Sequence, residues 1–314
     1  MISDQWRADL TPGKLRGLQQ CATRRGVFSI LGIDHRQNLR RSLRPEAPEE
    51  VSDATLTAFK RQVVGALGGF ASAVLLDPEY GAVECIESGS LLGTTGLIVA
   101  QERTGYSGER TARVSELLPD WSPDQTRGIG ASGCKVLVYY HPGAPTALAA
   151  ESLVANVAAV CAEADIPLFL EILTYSIDGE RRRLAGAAHQ AAVLDAAERL
   201  TAIEGVDVLK AEFPVDIETE TDERAWMDVC AEMTRVSHLP WVLLSAGVDF
   251  EVYLRQVAVA AQAGASGVAV GRAVWSEAVS LDAASRERFL MTIAAERMRR
   301  VTALCEALAH PWSA

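Results

Sequence analysis

The run VDVLKAEFP, residues 206–214, places a lysine inside a short segment of valine and leucine. Seven other apolar runs with the valine, isoleucine and leucine content of buried strands recur along the chain, separated by longer alanine-rich segments. These runs together predict eight strands. Their expected ranges are 27–36, 72–79, 96–102, 134–140, 167–175, 206–214, 241–247 and 266–271.

Helix-like segments fill the intervals between the predicted strands. In ATLTAFKRQVVGALGGF from Ala54, for example, apolar residues return every three or four positions. Alternating strands and helices imply right-handed parallel crossovers, and a count of eight favours a closed (β/α)8 TIM barrel over the alternative of an open doubly wound sheet. We expect one α/β barrel domain over residues 1–314, with a capping helix within residues 1–25 and two closing helices within 276–314.

The composition is that of a globular protein with a large core. Apolar residues make up 49% of the chain and charged residues 23%. The net charge of -11 argues against a sequence-independent hold on nucleic acid or anionic lipid, so an anionic ligand would need a local positive pocket. The six cysteines form no C-x-x-C pair, and no apolar run reaches 18 residues. We expect reduced, mostly buried thiols in a cytoplasmic protein that binds neither nucleic acid nor membranes.

Polar residues stand where several predicted strands end. In a barrel of this kind the functional groups lie at the carboxyl ends of the strands and in the loops that follow, which here include the glycine-rich or charged segments 87–96 and 102–122. Side chains at four such positions are candidates for substrate binding: Asp34, His35, Asp77 and Glu212.

Lys210 is unusual because lysine is seldom fully buried and is costly to place inside a barrel without a partner. Period-two alternation groups Lys135 with Leu137 and Tyr139 on one face of the fourth predicted strand. If this face and the lysine face of the sixth strand point inward, Lys135 and Lys210 converge with Glu171 of the fifth. That set suits imine chemistry, with Lys210 as the partly neutral nucleophile, Lys135 as a second cation and Glu171 as the acid/base. The alternative is a structural Lys–Glu ion pair.

The seventh and eighth predicted strands end at small residues just before helical segments, where barrels often bind phosphate. Gly247 and Gly271 would let backbone N–H groups approach the oxygens. Ser245 could add a hydroxyl group, and Arg272 could grip the anion as a fork. The alternative is two ordinary glycine turns and a surface arginine.

The five histidines form no H-x-x-H or H-x-x-x-H pair. We therefore predict no metal and no other cofactor. Because His35 and His141 both fall near strand ends, a two-histidine metal site completed by a carboxylate is the alternative.

Taken together, these segments resemble the class I tagatose-1,6-bisphosphate aldolase family and its relatives that act on sulfofructose phosphate. The matching stretches, from about Gly26 to Trp275, are ASAVLLDPEYG, KVLVYY, DIPLFLEIL, DVLKAEFPV, LPWVLLSAGV and GRAVW. The resemblance implies a metal-independent (β/α)8 barrel in which Lys210 forms the Schiff base and Glu171 is the acid/base. It also implies that Lys135 is a second active-site lysine and that Asp34 is an aspartate near the substrate. The phosphate would be bound by Ser245, Gly247, Gly271 and Arg272.

One departure from the family lies beside the expected site. The chain has Asp34-His35-Arg36 where the tagatose enzymes usually carry Asp-Gln-Arg, so the exact sugar stays open. The three arginines at 181–183 are interpreted as a solvated helix face, the alternative being contact with a distal anionic group.

We predict a class I aldolase, a carbon–carbon lyase, that cleaves a ketohexose 1-phosphate or 1,6-bisphosphate such as tagatose 1,6-bisphosphate. Its products would be dihydroxyacetone phosphate and a three-carbon aldehyde. One alternative keeps the mechanism but takes 6-deoxy-6-sulfofructose 1-phosphate and gives sulfolactaldehyde. Another is a non-catalytic barrel that binds a sugar phosphate. The expected partners are the sugar phosphate and, as is common among barrels of this family, further copies of the chain in a homo-oligomer.

Overall fold

Eight parallel strands close into a barrel in the computed structural model, which describes residues 4–181 and 183–313. Their order around the barrel is β1-β10-β9-β8-β7-β6-β3-β2, so strands that follow one another along the chain are neighbours in space. The strands are β1 Phe28–Gly32, β2 Ala73–Leu76, β3 Gly96–Ala100, β4 Ser107–Glu109, β5 Ala112–Val114, β6 Gly133–Tyr140, β7 Leu168–Thr174, β8 Val208–Ala211, β9 Trp241–Leu244 and β10 Gly267–Val270. The predicted (β/α)8 barrel is confirmed, and the open sheet is wrong. Because β4 and β5 form a separate hairpin, the fourth to eighth predicted strands are β6 to β10.

Helices surround the barrel and close its amino end. They are α1 Asp4–Ala8, α2 Pro12–Cys21, α3 Gln37–Leu43, α4 Asp53–Leu67, α5 Ala82–Glu87, α6 Pro123–Gly128, α7 Ala147–Glu163, α8 Gly186–Thr201, α9 Glu223–Val236, α10 Phe250–Gln262, α11 Arg272–Trp275, α12 Ala283–Phe289 and α13 Ala295–Leu308. The single capping helix predicted within residues 1–25 is instead the pair α1 and α2, because Pro12 starts a new helix. A π-helical turn over Leu290–Ala294 joins α12 to α13.

The barrel interior is an apolar cluster of its own. Side chains from alternate strand positions, such as Phe28, Phe169 and Val208, fill it, and Leu18 of α2 closes it from below. The intervening strand residues belong to the larger cluster that packs against the helices. Two positions beyond an interior residue the side chain again points inward. The strands therefore direct selected polar side chains into the carboxyl end of the barrel.

The segment 102–122, predicted as a loop, contains the antiparallel hairpin of β4 and β5. Its strands have three residues each and none of them is buried, so they lack the apolar content that marks a barrel strand in sequence. The guanidinium group of Arg110 donates to the carbonyl oxygens of Asp178, Gly179 and Arg181, at 2.6 to 3.0 Å. The hairpin is thereby tied to the segment that follows β7.

The cysteine prediction is confirmed, since all six thiols are free and buried. Over residues 4–181 and 183–313, no helix has the length and apolar content needed to cross a membrane.

Candidate active site

The carboxyl ends of the barrel strands surround a pocket that contains most of the predicted site residues. The predicted residues that line it are Asp34, His35, Lys135, Glu171, Lys210, Ser245, Gly271 and Arg272. Glu102 and Tyr139 line it as well.

Three strands bring two lysines onto one carboxylate. The β7–β8 register pairs Glu171 with Lys210, each two residues beyond an interior apolar residue of its strand. Oε2 of Glu171 lies 2.8 Å from Lys210 Nζ and 2.7 Å from Lys135 Nζ. Neither contact has the angles of a hydrogen bond at Oε2, although the atom is buried. Two ammonium groups therefore share one carboxylate oxygen.

Lys135 is the most heavily compensated charge in the pocket. Its side chain is 1% exposed, and Nζ also lies 2.8 Å from Asp34 Oδ2 and 2.7 Å from Glu102 Oε1. Burial alone would favour the neutral amine, but Asp34, Glu102 and Glu171 outweigh it and hold the pKa of Lys135 well above its ordinary value. Lys135 is therefore a fixed positive charge.

Glu102 is a site residue that the sequence reasoning did not select. Its Oε1 accepts from Lys135 Nζ, and its Oε2 accepts from the backbone N–H of Leu137 at 3.1 Å. Burial raises the pKa of Glu102 despite the opposing cations of Lys135 and Arg36. Arg36 in turn donates to the Glu102 carbonyl oxygen and to Glu79, both at 2.7 Å. The signal was available, because Glu102 follows the strand next to that of Lys135.

The two remaining carboxylates near the lysines are held ionised. For both Asp34 and Glu171, burial would raise the pKa, but the charges of Lys135 and Lys210 outweigh it. The pKa of Asp34 lies well below its ordinary value, and that of Glu171 is also lowered. Glu171 therefore starts as a carboxylate that can accept a proton.

His35 lines the same pocket as a neutral imidazole. Burial, opposed by Asp34 and assisted by Arg272 and Lys210, lowers the pKa of His35 to about 4. The ring packs edge to face on Trp275, with centroids 5.4 Å apart, and its Nδ1 is buried without a hydrogen-bond partner in the described residues. A neutral ring in this place can donate or accept a hydrogen bond without adding charge.

The predicted phosphate residues meet at the ends of β9 and β10. The N–H of Gly271 lies 3.4 Å from Ser245 Oγ, and a Cβ at position 271 would come within 2.8 Å of the Gly32 carbonyl oxygen. Gly247 has φ of +78°, and a Cβ there would lie 3.2 Å from Arg272 Cζ. Within residues 4–181 and 183–313, Arg272 has no carboxylate at ion-pair distance. This corner of the pocket thus combines close backbone approach with an unpaired guanidinium group.

Asp77, a predicted substrate residue, lies away from the pocket. It is fully buried and forms an ion pair with Lys60 of α4, which also donates to the Ile33 carbonyl oxygen at 2.9 Å. Oδ2 of Asp77 accepts from the backbone N–H of Tyr80. The carboxylate is therefore fully engaged in these contacts, which join α4 to the ends of β1 and β2.

Glu212, the other predicted acidic substrate residue, faces a second cavity beside the first. Its Oε2 accepts from the N–H and the hydroxyl group of Thr174, at 2.7 and 2.8 Å, and burial raises its pKa. The second cavity shares the wall formed by Leu244 and Ala246 with the central pocket.

The histidines of the alternative metal site have different surroundings. His35 lines the central pocket, whereas His141 accepts from the N–H of Gly143 and lies against Tyr175. In the part of the chain that the structure describes, no three His, Cys, Asp or Glu side chains form a group suited to a metal ion.

Arg181 and Arg183 lie before α8, which begins only at Gly186, so the helical placement predicted for these two arginines is wrong. Arg181 and Arg183 are exposed, and Arg183 pairs with Glu218. Residue 182 lies outside the described residues. The solvated character predicted for the run holds for the two arginines that are described.

A comparison with known families agrees with this geometry. The model of the DeoC/LacD family aldolases matches residues 28–277. The chain belongs to the DeoC/LacD aldolase family. The predicted carbon–carbon lyase is confirmed at that level.

Relatives of this aldolase align over nearly its whole length. The tagatose 1,6-diphosphate aldolase of Listeria monocytogenes serotype 4a is 31% identical, covering 96% of this chain and 94% of the relative. Tagatose 1,6-diphosphate aldolase 1 of Streptococcus pyogenes serotype M1 is 29% identical, covering 97% and 98%. The predicted resemblance to the tagatose aldolases is confirmed.

Solved aldolase structures share the fold. An archaeal fructose 1,6-bisphosphate aldolase superimposes with a TM-score of 0.60 at 21% identity, over 91% of this chain and 98% of its own. The fructose-bisphosphate aldolase of Plasmodium falciparum gives a TM-score of 0.71 at 13% identity, over 98% and 97%. At these identities the likeness concerns the barrel alone.

Proposed function

We propose that this aldolase cleaves a ketohexose 1,6-bisphosphate, such as tagatose 1,6-bisphosphate, through an imine on Lys210. The observation that carries the proposal is the single oxygen of Glu171 shared by Lys135 and Lys210. A nucleophilic amine, a carboxylate able to move its protons and a fixed second cation stand within contact distance of one another. The names of the bacterial relatives support the choice of sugar.

Imine formation needs only Lys210 and Glu171. The Glu171 carboxylate takes a proton from the Lys210 ammonium group, and the free amine adds to the C2 carbonyl group of the ketose. A proton passes from nitrogen to oxygen to give the carbinolamine. Glu171 then returns its proton to the C2 hydroxyl group, which leaves as water, and a protonated imine remains.

Cleavage reuses the same carboxylate. Glu171 takes the proton of the C4 hydroxyl group, the C3–C4 bond breaks, and its electron pair forms the C2–C3 double bond while neutralising the imine nitrogen. The three-carbon aldehyde departs. Glu171 then protonates C3 of the enamine, and water hydrolyses the imine to release dihydroxyacetone phosphate and free Lys210.

The surrounding charges keep these roles fixed. Lys135 stays cationic against three carboxylates and keeps Glu171 ionised between turnovers. Asp34 accepts from Lys135 at 2.8 Å and lines the pocket, where its second oxygen can take a sugar hydroxyl group. His35, neutral in this setting, provides a second polar contact without repelling a cationic intermediate.

The 1-phosphate would occupy the corner at the ends of β9 and β10. Arg272 faces the pocket without a carboxylate partner among the described residues, and Ser245 and Gly271 offer a hydroxyl group and a backbone N–H beside it. A guanidinium fork with adjoining backbone donors suits a phosphate dianion. Gly247 contributes by leaving room for the Arg272 side chain.

Borohydride trapping tests the imine. The enzyme is incubated with dihydroxyacetone phosphate, a chelator and borohydride, and the modified peptide is identified by mass spectrometry. We expect an adduct on Lys210 in the wild type and none on this residue in Lys210→Met, which should also lose product release. Equal rates of product release by the two proteins would overturn the proposal. Loss of activity to the chelator without any adduct would instead support the metal alternative.

A further inference from the structure

Arg113 of β5 is enclosed by aromatic rings at the mouth of the barrel. Its guanidinium carbon lies 4.5 Å from the ring centroid of Tyr106, 5.2 Å from that of Tyr139 and 4.8 Å from that of Tyr175. Its Nε donates to the Arg110 carbonyl oxygen at 3.2 Å. Three rings and a backbone contact therefore hold the group in one orientation.

Among the residues that the structure describes, the cation in this aromatic cage has no counter-ion. In the described parts of the chain, 4–181 and 183–313, no carboxylate lies at ion-pair distance from Arg113, and its two terminal amino groups have no protein acceptor. A guanidinium group is weakly hydrated and presents a planar fork of donors to tetrahedral oxyanions. The cage thus offers a preorganised but unused anion-binding face.

The cage stands across the pocket from Arg272. Going round the barrel from β10, which precedes Arg272, the next strands are β9, then β8 with Lys210, then β7 and β6. Tyr139 belongs to β6 and Tyr175 follows β7 directly. Arg113 also lines the second cavity, which adjoins the central pocket along Leu244 and Ala246, while Tyr139 lines the central pocket itself. Around the ring of strands, Lys210 on β8 therefore stands between Arg272, which follows β10, and the cage beside β6 and β7.

We propose that Arg113 binds the second anionic group of the substrate, the tetrahedral oxyanion at C6, and so selects ketoses that carry a charge at both ends. This inference rests on the proposed function and identifies the group that decides the length and charge of the substrate. A chain of six carbons with anions at both termini places its C2 at Lys210 when C1 is directed to Arg272 and C6 to Arg113.

Arg103 also lines the central pocket, and it fits the role less well. Its guanidinium group lies 3.3 Å from Glu116, and its side chain is 59% exposed. A solvated and already paired arginine recognises an anion weakly. The caged Arg113 loses less freedom on binding and has its charge available.

The test compares three substrates: tagatose 1,6-bisphosphate, tagatose 1-phosphate and 6-deoxy-6-sulfofructose 1-phosphate. We expect Arg113→Met to lower kcat/KM for the substrates with a C6 anion by about 30-fold or more, and to change the 1-phosphate by less than about threefold. Arg113→Lys should recover part of the loss. The ratio of the wild-type kcat/KM values for the bisphosphate and the sulfonate substrate then tells which oxyanion Arg113 binds.

Arg110→Met is the matched control, because it releases the hairpin from the segment 178–181 and leaves the caged cation in place. It should keep the preference for a C6 anion, and thermal melts should show that all three variants are folded. Equal losses on the three substrates in Arg113→Met, or no wild-type preference for a C6 anion, would overturn the inference while the aldolase proposal stands. A wild type that cleaves none of the three would overturn both.

Discussion

Lys135 and Lys210 direct their ammonium groups at one atom, Oε2 of Glu171, from 2.7 and 2.8 Å. The two lysines come from strands that are not adjacent, with β7 between them. The middle strand therefore carries the carboxylate that pairs with both ammonium groups. A change in either lysine alters the proton affinity of that carboxylate.

Removing the fixed cation should change the pH profile. In Lys135→Met, Asp34, Glu102 and Glu171 lose their shared partner, so the pKa of Glu171 rises and it is a carboxylate only at higher pH. We expect the acid limb of kcat/KM to move to higher pH and kcat to fall about 100-fold or more. Lys135→Arg, which keeps the charge, serves as the control. An unmoved acid limb in Lys135→Met would contradict the role given to Lys135.

Replacing the shared carboxylate should affect chemistry more than binding. Glu171→Gln keeps the shape of the side chain but cannot take up the protons of Lys210 or of the C4 hydroxyl group. We expect kcat to fall by about 10² to 10⁴ with KM within a few-fold of the wild type, since one general acid/base is lost. Steady-state kinetics and the rate of borohydride trapping measure the two effects. If kcat falls by less than tenfold, another group moves these protons.

The buried pair of Lys60 and Asp77 should matter for stability rather than for substrate. Both side chains are fully buried, and Asp77 is not among the residues that line the central pocket. In Asp77→Asn the Lys60 ammonium group keeps no carboxylate, so the free energy of unfolding should fall by about 3 to 5 kcal/mol. Denaturant unfolding measures this loss, and KM of the folded fraction should stay unchanged. A raised KM with unchanged stability would restore Asp77 as a substrate residue.

The neutral His35 should make the protein less stable as the pH falls. Its pKa in the folded protein is about 4, below the ordinary value of 6.5. At a pH between these two values, the imidazole binds a proton in the unfolded chain but not in the folded protein. Stability present at pH 7 is therefore lost as the pH falls from about 6.5 toward 4. Between pH 7 and pH 5 the wild type should lose about 2 kcal/mol more than His35→Gln. Urea unfolding at the two pH values checks this difference, and parallel losses would show that the imidazole titrates normally.

The barrel and the approach of Lys210 to Glu171 were predictable because both follow from short-range periodicity. Each predicted strand range overlaps a barrel strand, and alternation along a strand places Lys210 above Val208 and Glu171 above Phe169 inside the barrel. The hairpin was not predictable in this way, because three-residue strands without buried side chains leave no periodic signal.

Asp77 and Glu212, predicted as substrate residues from their places at strand ends, lie outside the lining of the central pocket for a common physical reason. Each residue is the first one after its strand, since β2 ends at Leu76 and β8 ends at Ala211. Beyond the last strand residue the backbone turns, and the nearest donor decides where the side chain points. Lys60 is that donor for Asp77, and Thr174 is for Glu212. Such donors belong to other elements, so the local sequence does not reveal them.

The register that pairs Glu171 with Lys210 has a consequence for how such an enzyme can be altered. The two residues lie directly opposite each other on neighbouring strands of the closed barrel, so the backbone and not the loops sets their spacing. Arg113 and its neighbours in the hairpin, by contrast, belong to a separate two-stranded sheet outside the barrel. On the roles proposed here, the group that binds the C6 anion and the pair that breaks the bond lie in separate stretches of the chain. A designer could exchange the segment 102–122 for that of a relative and retune selectivity while the bond-breaking apparatus keeps its spacing.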